Sequence, residues 1–184
     1  MTEDVNTRAG EVDDDDFLMS GGGISCQFPK KGDSYTGTIV KTGKARAQTD
    51  PESGDVKTFK SGDTRLTKPV TLACADPLGR WDKEAMERVD VEDDNGERVL
   101  WVQGQMKNAV RDAILKAFKT AKVRTKPGLE LGGMLTVTYS SSIPSGKKGV
   151  NPQKVYSAEY VLAQDNKANA HLLEDDDDPF DDEG

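Results

Sequence analysis

The chain has 184 residues, of which 34% are hydrophobic and 32% charged, and 25 Lys and Arg against 33 Asp and Glu leave a net charge of −8. Two distant cysteines, Cys26 and Cys74, with no CxxC and a single histidine, His171, exclude the usual zinc patterns and a disulfide framework. No apolar run nears the roughly 18 residues of a membrane span, and the acidic start is unlike a signal peptide, so a soluble cytoplasmic protein is predicted.

The charge is unevenly spread. Residues 1–33 hold three basic and eight acidic side chains, and residues 164–184 hold one and nine. The middle, 34–163, holds 21 basic against 16 acidic. Polar acidic ends bury too little apolar surface to offset an ordering entropy of about 1–2 kcal/mol per residue. The division expected is a disordered acidic tail over 1–23, a folded domain over 24–163 and a second disordered acidic tail over 164–184. A basic body points to a polyanionic partner.

In chain order, Asp13-Asp14-Asp15-Asp16 and Ser20-Gly21-Gly22-Gly23 precede a lead-in through Phe28-Pro29 and Lys30-Lys31-Gly32-Asp33. A first strand is predicted over 34–47, with Tyr35, Gly37 and Ile39 on one side. Gly37 and Gly43 inside it suggest coiling or a bulge, as at a barrel corner. Residues 48–67 read as a long loop or irregular hairpin, and 68–75 as a second strand with Val70, Leu72 and Cys74 facing one way. A second excursion over 76–90 carries Arg80-Trp81 and one helical turn at Glu84-Ala85-Met86. Asn95-Gly96 predicts a hairpin joining a strand with Val89 and Val91 to one over 98–102. Over 105–122, Met106, Ala109, Val110, Ala113, Ile114, Ala117, Phe118 and Ala121 make one apolar stripe, hence an amphipathic helix. Strands over 129–139 and 155–163 follow, separated by a polar loop.

A lone helix among strands must bury its stripe against a sheet. The layout predicts an all-β domain with one helix: an OB-fold, a five-stranded curled barrel with the helix between strands three and four. A mixed α+β sandwich is the alternative.

No Walker loop, GxSxG or HExxH is present, so the chain reads as a non-enzyme with no cofactor or metal. Asp90, Glu92, Asp93 and Asp94 could hold Mg²⁺ in a nuclease, but beside Asn95-Gly96 they read as a solvated turn. The binding signal is stronger. Lys41, Lys44, Arg46, Lys57, Phe59, Lys60, Arg65 and Lys68 interleave cations with an aromatic; Arg80, Trp81 and Trp101 add to them, as do Lys147, Lys148, Lys154 and Tyr156. Single-stranded nucleic acid needs cations along the phosphates and flat rings under the bases, each stacked base contributing about 1–3 kcal/mol. Each residue also has a plainer reading. Loop lysines are ordinary solubilising residues, Trp101 lies between Leu100 and Val102, and Tyr156 shares the apolar phase of its strand.

The last stretch, Leu172-Leu173-Glu174 followed by Asp175-Asp176-Asp177-Asp178-Pro179-Phe180, is an acidic run with one aromatic after a proline. It resembles the acidic tip of single-stranded DNA-binding proteins of bacteria and phages. With the acidic N-terminus and the segment Asn151-Pro152-Gln153-Lys154-Val155-Tyr156, the arrangement is similar to such proteins of actinobacterial phages. The resemblance implies a body that coats single-stranded DNA in the host cytoplasm during replication, recombination and repair. It also implies that residues 175–180 recruit replication or recombination proteins. Asp181-Asp182-Glu183-Gly184 after Phe180 departs from a tip that ends on Pro-Phe with a free carboxylate. Tetramer formation does not carry over, and monomer and dimer stay open. The rival reading is a protein-interaction module, an adaptor or inhibitor whose acidic ends imitate nucleic acid.

Overall fold

The computed structural model describes residues 23–75 and 78–168. Period-two alternation sets its strands. β1 (Ser34–Thr42) turns Tyr35, Gly37 and Ile39 inward, as expected. β2 (Arg46–Ala47) continues β1 after a break at 43–45, and both pair antiparallel with β3 (Leu66–Cys74), which buries Val70 and Leu72. β4 (Arg80–Asp82) and β5 (Glu87–Val89) form a separate two-stranded ribbon. β6 (Glu97–Val102) pairs with the other side of β3. β7 (Met134–Ile143) and β8 (Gln153–Val161) complete a six-stranded sheet whose main path runs β2-β3-β1-β7-β8. Its second face is threonine-rich, with the Thr36 and Thr136 hydroxyls 2.9 Å apart across β1 and β7.

The expected OB-fold barrel is not what forms. Among the described residues no ladder joins β6 to β8, so the sheet is open rather than curled into a closed five-stranded barrel. The free edge of β6 is taken by residues 24–26. Val99 N donates to the Ile24 carbonyl at 2.9 Å, and Cys26 N donates to the Val99 carbonyl at 2.8 Å. Beyond them the Phe28 ring meets Tyr35 edge-on at 5.0 Å and Tyr156 at 5.3 Å. Lys154 of β8 donates to the Phe28 carbonyl. A strand edge leaves its N–H and C=O groups needing partners, and here the N-terminal segment supplies them. What survives of the expectation, among the described residues, is a mostly-β fold with one α-helix.

That helix, α1 (Gly104–Thr120), forms where the stripe predicts and buries Met106, Val110, Ala113 and Phe118, chiefly along β8. Gln103 gives no side-chain cap, so its stability comes from the packed stripe rather than its start. Gly37 is not a corner. A Cβ there would lie 2.7 Å from the Ala73 carbonyl oxygen, so the residue lets β1 approach β3 closely, while the register shift falls at 39–41. The expected Asn95-Gly96 hairpin is also absent: β5 pairs with β4, not β6.

Because Phe28 is 6% exposed and wedged between two tyrosines, Phe28→Ala is expected to cost about 3–5 kcal/mol in urea unfolding. A loss under about 1 kcal/mol would mean that this segment is not part of the core.

Candidate nucleic-acid interface

The sequence-nominated residues gather into three ring–cation groups. In the first, Trp101 lies opposite Pro69 on β3, and its Nε1 donates to Ser25 Oγ at 3.2 Å. The exposed Arg46 of β2 places its guanidinium 4.7 Å from the centre of the Trp101 ring. Gly43 passes directly over Pro69, where a Cβ would meet the proline Cγ at 2.5 Å, and its carbonyl accepts from Lys68 Nζ at 2.9 Å. Trp101, read as either core or stacking face, is half-buried and carries a cation on its ring.

The second group sits on the arm between β2 and β3. Gln48 ties it together: its N–H donates to the Arg65 carbonyl and its own carbonyl accepts from Lys57 N. Phe59 is 50% exposed, with the Arg65 guanidinium 5.1 Å from its ring centre. Phe59 also borders a cleft with Gly104 and Lys107 at the helix start and Gln153 at the start of β8. Lys57 is less available, since its ammonium lies 3.6 Å from the Asp50 carboxylate.

The third group forms around Trp81 on the β4–β5 ribbon. Lys30 Nζ is 5.6 Å from the Trp81 ring centre, and Trp81 shares a shallow pocket with Phe28, Lys83 and Lys154. Lys154 also lies 5.1 Å from the Tyr139 ring. Tyr156 belongs under this site rather than on it: it is half-buried, 6.0 Å from Tyr139, and burial, then Tyr139, pushes its phenol pKa up.

Residues 24–30 join two of the groups, touching Trp101 through Ser25 and Trp81 through Lys30. Five extended residues span at most about 17 Å, a distance of a few nucleotides. Lys41 is exposed on β1 opposite Thr71, and Lys44 is exposed in the β1–β2 break. Lys60 is exposed on the arm, Arg80 on the ribbon, and Lys147 and Lys148 in the β7–β8 loop; among the described residues no ring contact draws Lys44 or any of these four into a group. Residues 175–180 lie outside the described residues.

Lys30 and Lys83 escaped the sequence reading. The signal for Lys30 was the Phe28-Pro29-Lys30-Lys31 run, an aromatic beside two cations that reads equally well as a lead-in.

Of the carboxylate cluster, Asp90, Glu92 and Asp93 are exposed, as a solvated turn implies, and Asp94 alone departs from it. Asp94 is inside, its side chain 5% exposed, clamped by a fully buried Arg98 through both guanidinium nitrogens, one bond being 2.8 Å. It also accepts from Gly79 N and Gly96 N. The Arg98 clamp, then those two N–H groups, hold its carboxyl well below the usual range. No cluster of three or more metal-ligating side chains occurs among the described residues. Burial, with Cys74 next, pushes the Cys26 thiol up to about 12, so it carries no thiolate near neutral pH. No helix among the described residues is long and apolar enough to cross a membrane.

Comparison with protein families, with curated proteins and with solved structures finds no match for the chain.

The Asp94 ion pair makes an acid-side prediction. A depressed folded pKa contributes stability that is present above the unfolded value of about 3.9 and is lost as pH falls through the folded value. Asp94→Asn should therefore be less stable than wild type at pH 7, and the gap in urea midpoint should narrow steadily below pH 4. A gap that stays constant to pH 2 would contradict the assignment.

Proposed function

We propose that the chain binds and protects single-stranded DNA without catalysis, its cations meeting phosphates and its Trp and Phe rings stacking on bases. The observation that carries this is the repeated pairing of a solvent-reachable ring with a cation: Arg46 on Trp101, Lys30 on Trp81 and Arg65 on Phe59. A cation over an exposed ring contributes about 0.5–1 kcal/mol, whereas base–aromatic stacking contributes about 1–3. A base therefore displaces the guanidinium, which gains a charge-assisted bond to phosphate in exchange. The partner task proposed for residues 175–180, recruitment of replication or recombination proteins, rests on their resemblance to the acidic tip of single-stranded DNA-binding proteins.

Fluorescence titration with a deoxythymidine oligomer and a duplex of equal length tests the reading. Single strands should quench the tryptophans and bind in preference to duplex. The logarithm of affinity should fall with that of salt by about 0.7 per phosphate contact. Trp101→Ala and Trp81→Ala should each weaken binding about 5- to 150-fold. Failure of single strands to bind would favour the interaction-module reading, whose own mark is a protein partner lost on deleting residues 172–184.

A further inference from the structure

The positive charge of the folded body is concentrated in one place. Residues 104–128, which are α1 and the loop after it, hold seven basic side chains and one acidic one. The rest of 34–163 holds 14 basic against 15 acidic, so without this element the body has no excess of cations. All seven basic side chains, Lys107, Arg111, Arg124 and Lys126 among them, are exposed. Asp112 pairs with Arg111 at 3.0 Å, and among the described residues the other six make no ion pair. An exposed pair of that kind contributes at most about 1 kcal/mol and yields to a stronger anion.

This surface differs in kind from the three ring–cation groups. Phe118 is the only aromatic residue of 104–128, and it is buried. The groove between α1 and residues 127–129 has no ring in its lining either. Bases find nothing to stack on here, so a nucleic acid is held through its phosphates alone. Duplex DNA suits such a site, because it carries about one charge per 1.7 Å of axis and keeps its bases paired inside. The 17 residues of α1 make a rod about 25 Å long. That is the length of about seven base pairs at 3.4 Å each. The two kinds of surface adjoin. Lys107 borders both the Phe59 cleft and the α1 groove, and Lys68, which bonds the Gly43 carbonyl in the Trp101 group, lines that groove too.

We propose that the exposed cations of α1 and the loop over 121–128 hold the phosphates of duplex DNA. The protein then seats at a junction, with the single strand on the rings and the adjoining duplex along the helix. The junction rests on the single-strand reading above; the duplex contact does not. Engaging the strand first makes the duplex contact intramolecular. An effective concentration of about 1 mM, set against a non-specific dissociation constant of about 0.1 mM, gives a gain of about tenfold.

Fluorescence anisotropy with the full chain and three labelled probes tests it. The first probe is a thymidine strand of about 12 nucleotides. The second carries the same strand as an overhang on a hairpin stem of about 12 base pairs, and the third is the blunt stem alone. At low salt the overhang probe should bind about tenfold tighter than the strand, and the advantage should vanish as salt rises to about 0.2 M. Arg111→Gln, Lys119→Gln, Arg124→Gln and Lys126→Gln combined should remove the advantage and leave affinity for the strand within about twofold of wild type. An overhang probe that binds no tighter than the strand would overturn the proposal and leave these cations to an acidic protein partner. Equal losses on both probes in the variant would also overturn it, placing the cations on the path of the single strand. If the strand fails to bind while the variant alone releases the blunt stem, the duplex contact stands and the single-strand reading falls.

Discussion

Everything distinctive about this protein depends on what covers the outer edge of β6. Residues 24–26 bond to Val99, and Phe28 closes the space between Tyr35 and Tyr156. The sheet stays open because that edge is already satisfied, and an edge left bare would be open to pairing with other strands. The same segment then runs from Trp101 to Trp81. One stretch of backbone thus sets the architecture and spaces the two rings.

The second constraint is electrostatic. Arg98 points inward from β6, opposite Leu72 on β3, where an unpaired guanidinium would be very costly. Asp94 neutralises it, and both groups bind Gly79, Asp94 through the glycine N–H and Arg98 through its carbonyl. That network holds the start of the β4–β5 ribbon against the sheet. Arg88 of β5 adds a bond to the Tyr35 hydroxyl at 3.2 Å. The position of Trp81 therefore follows from a buried ion pair near the other end of β6 from Trp101.

How much of this was legible in the chain depends on how local the cause was. The helix over 104–120 and the inward phases of β1, β3, β7 and β8 follow from periodicity, which each segment carries by itself. The open edge did not, because nothing in Ile24-Ser25-Cys26 marks it as the partner of β6 rather than a lead-in to the first strand. Asp94 reads as a turn acid when the eye stops at Asn95-Gly96, and its burial is decided by Arg98 four residues later. For the site, Trp81 and Phe59 were nominated on their neighbours' polarity, whereas Trp101, between Leu100 and Val102, read equally as core. Their pairing with Lys30, Arg46 and Arg65 is tertiary, apart from the short arm that joins Phe59 to Arg65. Lys147 and Lys148 were equally plausible on paper, yet they join no ring.

The central claim is that single strands lie across the rings spaced by residues 24–30. Ultraviolet crosslinking of the full chain to a deoxythymidine oligomer, with the modified residues located by mass spectrometry, tests this most directly. Crosslinks concentrated at Trp81, Trp101 and Phe59 are predicted. Crosslinks falling instead on the threonine-rich face around Thr36 and Thr136, or on the outer side of α1, would contradict it.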